Sequence, residues 1–384
     1  MLSFLRRGAA TLAVDVVLSP PCPRAPEGVN PASARPFARL VAARSALLLA
    51  ASLALAQPAG LPPRPSPALE AIVGEYGEGG ARVVVRENGR ALEVSTDGRT
   101  FERVRETGSD RYAGDHVEFR VDRGVPALPS APPSTPGRKG APRGKGGTTI
   151  VKGLSIGGAF LPRRDFGGEE GVFRTTPLRR VADLMKEAKA AAPPKEAGDF
   201  LPSHLVEVRS LDKSIALDVR YATTRNFLAT PVYGKEQVML QEPAAQALAR
   251  AHRALKALGL GLMLHDGYRP WFVTWVFWNA TPEASREFVA DPAKGSKHNR
   301  GCAIDLTLFD LKTKQPLELT GLYDEMSPRS YPDYPGGTSR QRALRERLRR
   351  TMEAEGFTVY ESEWWHFDYK DWPRYAIGNE SWWK

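Results

Sequence analysis

Cysteine is nearly absent: of 384 residues only Cys22 and Cys302 carry a thiol. No Cys-x-x-Cys pair exists, so a thiolate metal centre is excluded. If the N-terminus is removed, Cys302 has no intrachain partner. Any metal must then be held by imidazoles and carboxylates. No apolar run is long enough for a typical membrane span, so no stable membrane span is expected. No internal repeat is visible. The formal charge is +10 and the pI about 9.6, yet no aromatic-plus-basic nucleic-acid motif accompanies it. Much of the excess lies in the N-terminal region and in one linker (Arg138, Lys139, Arg143, Lys145). The charge therefore reads as a basic proteome or an envelope location, not as a nucleic-acid partner.

What is present divides the chain in sequence order. Residues 1–56 read as a signal region. Arg39 and Arg44 flank the apolar run Ser45–Ala56, which ends on Ala54-Leu55-Ala56 and Gln57, an A-x-A cleavage signature. This predicts a periplasmic, secreted or cell-envelope protein, with an uncleaved signal anchor as the alternative. About forty residues precede the run, more than an export signal normally carries, so the translation start is expected downstream of Met1, at Val41. Residues 57–67 are a Pro-rich linker. Residues 68–175 read as a small β domain. Strand-type runs at 82–86, 91–95, 100–104, 116–121 and 148–152 are punctuated by Asn88-Gly89 and Asp97-Gly98, and a loop at 126–147 is predicted to be disordered. Residues 176–200 are a helical connector, with Val181, Leu184, Met185 and Ala188 at helical spacing.

Residues 201–384 are denser. The pattern predicts a strand at 217–221, a helix from Pro243 to Leu258 stopped by Gly259, and a strand at 260–264. An aromatic helix at 271–278, a second helix at 341–355 stopped by Gly356, and a strand at 357–360 follow. There is no βαβ rhythm. The expected class is α+β, an antiparallel sheet with flanking helices carrying a metal site, preceded by the small all-β domain.

Two segments carry chemistry. From Ala303 onward the pattern alternates, so Asp305 projects from the face opposite Ile304, Leu306 and Leu308. Gly301 permits a tight turn that could bring His298 beside Asp305. On these residues alone a structural His–Asp pair is the favoured reading. The second segment is Glu361-Ser-Glu363-Trp-Trp-His366-Phe-Asp368-Tyr369. Glu363 and His366 are three apart and would face opposite sides of a flat strand, so a turn or twist must intervene if both serve one site. A plain aromatic core strand with solvated Glu and His is the alternative. His116, His204, His252 and His265 read as surface, structural or packing residues, and Cys302 as a small buried residue without a base.

Several blocks in order resemble the VanX-type D-alanyl-D-alanine dipeptidases, zinc enzymes allied to D-Ala-D-Ala carboxypeptidases. These are Asp218–Phe227, Asp266-Gly-Tyr-Arg-Pro270, Ser296–Asp305, Asp324-Glu-Met-Ser327 and Glu363-Trp-Trp-His366, within residues 205–369. The resemblance implies one Zn2+ per chain held by His298, Asp305 and His366, with Glu363 as catalytic base and Arg269 stabilising the transition state. It implies that Asp324 holds the free amino group of a short D-amino-acid peptide, with Tyr221 and Ser296 near the substrate. Without it, Arg269 reads equally as a turn residue paired by Asp266, and Asp324 as an exposed loop acid. The chain departs from the family in its long N-terminal extension, its export signal and the Pro/Gly-rich stretch 331–337, which puts strictness for dipeptides in question. The expected function is hydrolysis of D-Ala-D-Ala in cell-wall turnover. Two rivals are a D,D- or L,D-carboxypeptidase acting on peptidoglycan stem peptides and a non-catalytic zinc-containing wall-peptide-binding module; the presence of Glu363 counts against the latter. Peptide mapping of the native protein is expected to return nothing from before Val41; a single such peptide overturns the downstream start.

Overall fold

The computed structural model describes residues 60–125, 149–167 and 170–383. The signal region and the loop at 126–147 lie outside the described residues. The described residues from Leu61 onward pack as one unit.

After a short helix α1 (Pro67–Ile72), capped by Ser66, eight strands follow in sequence order. They are β1 (Gly74–Tyr76), β2 (Val83–Asn88), β3 (Ala91–Ser95), β4 (Glu102–Gly108), β5 (Arg111–Ala113), β6 (Glu118–Gly124), β7 (Ile150–Ile156) and β8 (Ala159–Pro162). Each pairs antiparallel with the next. A bridge between Tyr76 and Arg163 then joins the chain after β8 to β1, and Gly77 N donates to Pro162 O at 2.9 Å. The meander thus closes on itself as an up-and-down barrel, which removes the free sheet edges. Its interior is a separate apolar cluster that includes Ile72, Tyr76, Val85, Leu92, Phe119 and Leu154. Three strands escaped the sequence reading (β1, β5 and β8), each four residues or fewer and too short to show a period.

The remainder forms the second layer system. Helix α2 (Val181–Ala190) buries Val181, Leu184 and Ala188 at the expected spacing. Strands β9 (Leu205–Glu207) and β11 (Met239–Gln241) pair with each other. A five-stranded sheet is ordered β10-β12-β13-β15-β14, with β10 (Ala216–Leu217), β12 (Leu260–Asp266), β13 (Ala303–Asp310), β14 (Phe357–Tyr360) and β15 (Glu363–Tyr369). It is antiparallel except at one edge, where β10 runs parallel to β12. The strand expected over 217–221 is a correction: it ends at Leu217, and Arg220–Ala222 is a 3-10 turn.

Helices α3 (Glu242–Lys256) and α5 (Ser339–Ala354) lie against this sheet and against each other; α4 (Trp271–Ala280) packs on α2. Gly259 (φ +74°) and Gly356 (φ +85°) end α3 and α5 in the left-handed region that glycine enters most easily. α5 starts two residues before the predicted position because Thr338 and Gln341 form a reciprocal capping box. Leu248 of α3 is fully buried in the cluster that fills the space between helices and sheet. Leu248→Ala is expected to lower unfolding free energy by about 2–5 kcal/mol, read as a reduced denaturant midpoint at unchanged m-value.

Candidate active site

Two register faults in the five-stranded sheet aim the polar side chains. Along β12, Leu264 pairs Leu306 but Asp266 pairs Asp305, so His265 is an extra residue. The bulge turns Asp266 to the same side as Asp305, as bulges beside active sites commonly do. Along β15, Val359 pairs Phe367 but Tyr360 pairs Glu363, so three residues of β15 are spent against one step of β14. That fault supplies the twist required of the Glu363–His366 spacing: Glu363 Oε2 lies 3.5 Å from His366 Nδ1.

His298 sits in a 3-10 turn (His298–Arg300) terminated by Gly301 at φ +68°. A Cβ at Gly301 would also come within 2.6 Å of Leu205 Cδ2, so the turn needs glycine for both reasons. Asp305 pairs with His366 across β13 and β15. Asp305 Oδ1 lies 3.3 Å from His298 Nε2 and 3.1 Å from His366 Nδ1, and the two ring nitrogens are 3.1 Å apart. All three residues are buried, and their donor atoms lie within 4.8 Å of one another.

The outer hydrogen bonds fix both imidazoles. His298 Nδ1 donates to the carbonyl of Gly267 at 2.7 Å, and His366 Nε2 donates to Asp368 Oδ1 at 2.9 Å. In neutral rings the inward atoms, His298 Nε2 and His366 Nδ1, then carry lone pairs. Asp305 Oδ1 is buried with no hydrogen-bond partner. Three lone pairs therefore converge on one point, the arrangement that a divalent cation satisfies. The surroundings favour positive charge there. Burial disfavours the charged form of His366, but Asp368 and Asp305 outweigh it and push its pKa up to about 10. Burial would raise Asp305, yet the two histidines hold it well below the usual carboxylate range.

The other predicted residues line the same cavity of about 550 Å³. Arg269 is locked by Asp266, with Nε and the terminal nitrogen 2.9 and 2.8 Å from Asp266 Oδ2, and lies 3.7 Å from Asp305 Oδ2. The Asp266 pairing read from sequence is real, but the same guanidinium borders the cavity. Asp324 adopts φ +62°, a conformation that costs a non-glycine residue of order 1–3 kcal/mol and persists only when its surroundings over-determine it. Its Oδ1 accepts from Tyr221 Oη at 2.8 Å, while Oδ2 is buried without a partner. Tyr221 thus spends its proton on Asp324. Ser296 Oγ accepts from the His298 backbone N at 3.2 Å, leaving its own hydroxyl proton free.

Sequence reasoning missed the supporting shell. Tyr323 donates to Asp305 Oδ2 at 3.0 Å, Tyr233 to Asp266 Oδ1 at 2.7 Å, and Lys297 lies 3.2 Å from Asp368 Oδ2. Asp368 had a usable signal: two residues beyond His366 in a strand, it shares that face. The residues set aside stay outside the cluster. His265 stacks on Tyr323 with ring centroids 4.4 Å apart, and burial lowers its pKa to about 4. His252 is buried against the Leu262 backbone, while His204 and His116 pair exposed with Glu242 and Glu102. Burial pushes the Cys302 thiol up to about 12, so it is inert.

A sheet and the turn leading into it that together deliver two imidazoles and a carboxylate to a buried point, with a second carboxylate beside them, define a metal-dependent hydrolase site. Residues 202–378 match the family model described as D-ala-D-ala dipeptidase. Among similar proteins, the D-alanyl-D-alanine dipeptidase of Escherichia coli (strain K12) is 33% identical over 169 residues, covering 43% of this chain and 84% of that protein. Those of Streptomyces coelicolor (34% over 184 residues; 43% and 91% covered) and Enterococcus faecalis (36% over 174 residues; 41% and 86% covered) carry the same name. The chain belongs to this dipeptidase family and is a metallopeptidase.

Asp368→Asn is expected to weaken metal binding about 10–100-fold, because the His366 ring loses its charged orienting partner. Competition with a chromophoric chelator reads this directly, and unchanged affinity would remove Asp368 from that role.

Proposed function

We propose that this chain hydrolyses D-Ala-D-Ala, using one zinc ion held by His298, Asp305 and His366. The observation that carries the reading is Asp324 Oδ2, a buried oxygen with no partner in the cavity that also contains the three metal-binding donors. A carboxylate withdrawn from water must meet a donor or a cation. The free ammonium of a very short peptide brings both. Burial raises the Asp324 carboxyl well above its usual range, so the empty cavity favours the neutral acid and an arriving ammonium would restore the carboxylate.

Zinc, when bound, would polarise the scissile carbonyl and lower the pKa of a water to about 7. Glu363 is the proton carrier. Burial pushes it up to about 7 against the opposing influence of His366, so it can take a proton from the attacking water and hand it to the leaving amine near neutrality. Arg269 is a permanent cation whose aim is fixed by Asp266, suited to the oxygen on which negative charge grows. Asp324 orients the peptide by its amino end, with Tyr221 orienting Asp324 in turn. Ser296 offers a hydroxyl proton to the other end. The D-configured dipeptide points to turnover of cell-wall peptides, in the periplasm or envelope to which the expected export signal would send the chain.

Zinc-loaded protein should release amine from D-Ala-D-Ala and not from L-Ala-L-Ala or a stem pentapeptide. Release from the pentapeptide at a comparable rate would make the enzyme a carboxypeptidase instead. Glu363→Gln is expected to retain its metal and lose at least ~10²-fold in rate; a retained rate removes Glu363 as the base.

A further inference from the structure

The segment that carries Asp324 is a partition. Met326, two residues on, lines the catalytic cavity and also a second cavity of about 360 Å³, bordered by Arg164, Phe166 and Phe173. The wall that presents Asp324 to the substrate therefore has space behind it as well as in front.

The partition is tied together around a buried carboxylate. Glu325 accepts from Leu322 N at 2.9 Å and from Ser327 Oγ at 2.5 Å, and its carbonyl accepts from Ser330 Oγ. What keeps it from retreating into the second cavity comes from the barrel. Arg329 lies 3.4 Å from Glu325 and 4.3 Å from the Phe166 ring. Arg164 rests on that same ring at 4.9 Å and pairs with Glu75 Oε2 at 2.9 Å. Glu75, only 1% exposed, also accepts from Tyr334 Oη at 2.8 Å, at the far end of the segment. Arg82 also holds both Glu75 oxygens, at 3.0 and 2.6 Å, so this carboxylate of strand β1 is a fixed point that meets the partition directly at Tyr334 and, through Arg164 and the Phe166 ring, at Arg329. Glu87 of β2 adds a third tie, its backbone N donating to Gly337 O at 3.2 Å.

We propose that Glu75 is a positioning residue for substrate length: through Tyr334 and Arg164 it keeps the partition forward, so that Asp324 meets the ammonium of a dipeptide and closes the cavity to longer chains. This rests on Asp324 being the ammonium acceptor. The barrel then has a task in the reaction although none of its residues reaches the metal. The partition reaches the metal-binding donors through Tyr323, which donates to Asp305 Oδ2, while its Asp324 face borders the substrate cavity, so the brace acts mainly on substrate binding and selection and only weakly on the chemical step.

The test is steady-state kinetics of the zinc-loaded full chain on D-Ala-D-Ala and on N-acetyl-D-Ala-D-Ala, which lacks the ammonium. Tyr334→Phe and Glu75→Gln should each raise KM for the free dipeptide about five-fold or more, with kcat within about two-fold of the parent. The acetylated-to-free ratio of kcat/KM should rise by a similar factor. Asp324→Asn separates the two layers of the argument. If it leaves that ratio unchanged, the ammonium assignment fails, and the brace with it. If Asp324→Asn changes the ratio while both brace variants keep the parental KM and ratio, only the brace is overturned. A matched fall in kcat and kcat/KM in the brace variants also overturns it, since that marks a disturbed reaction centre. Because Glu75→Gln removes a buried charge and could unfold the barrel, Tyr334→Phe, which deletes one hydroxyl, carries the decision alone if needed. In the double variant with Asp324→Asn, Tyr334→Phe should add little further change to the ratio.

Discussion

The structure turns on a charge deficit at one buried point. Asp266, Asp305, Glu363 and Asp368 are linked by ion-pair contacts through His298 and His366, and the permanent cations in that network are Arg269 and Lys297. Counted with every carboxylate ionised and both imidazoles neutral, four carboxylates against two cations leave two negative charges, which a divalent ion would balance. In a low-dielectric interior such a deficit is expensive; without an ion it is relieved by protonation, burial pushing Glu363 up to about 7 and the flanking carboxylates pushing His366 up to about 10. The surrounding bonds point outward. Gly267 O, Asp368 and Tyr323 occupy the outer atoms of His298, His366 and Asp305, so that the inner atoms face one another, while Asp266 is spent on Tyr233 and Arg269.

How much of this could be read from sequence follows from which forces are local. The alternation from Ala303 put Asp305 opposite the apolar face, and Gly301 marked the turn bearing His298; both are properties of a few consecutive residues. Gly259 and Gly356 marked helix ends for the same reason. The register faults at His265 and at 364–366 were not legible, because a bulge exists only relative to the strand beside it. The Glu363–His366 spacing signalled that something irregular had to intervene, but not what. Barrel closure was equally hidden: Tyr76 and Arg163 meet across 87 residues with nothing in either neighbourhood to announce it. The run at 217–221 misled because its apolar pattern is served by core packing, with Val219 and Tyr221 both buried while the backbone turns.

The candidate metal centre and the proposed amino-end acceptor sit on different kinds of structure. Asp305 and His366 project from paired strands in the middle of the sheet, where the backbone is held on both sides. Asp324 stands in a connecting segment, at a left-handed residue whose strain must be offset by its neighbours. Reaction geometry tolerates little displacement, which suits the strands. Selection among peptides of different length needs only one wall at one distance, and that distance can be reset by whatever packs behind the wall.

That division has a consequence for how such an enzyme can change. A substitution in β13 or β15 disturbs ligand geometry and the chemical step together. On the proposed reading, a substitution behind the Asp324 segment acts first on where a substrate must end, and reaches the metal-binding donors only through the bond from Tyr323 to Asp305. The buried ties from Glu75 and Glu87 reach this segment from a barrel that contributes no donor to the metal cluster. An appended fold can therefore act on specificity by fixing the position of one loop, without a group of its own in the cavity. The strength of that control is set by how well the ties are shielded from water, and Glu75 at 1% exposure is among the most shielded charges in the chain. Exposed ion pairs in the same place would be worth little; buried, with Arg82 across both oxygens and Arg164 and Tyr334 adding one contact each, Glu75 is a fixed point against which the wall is tied.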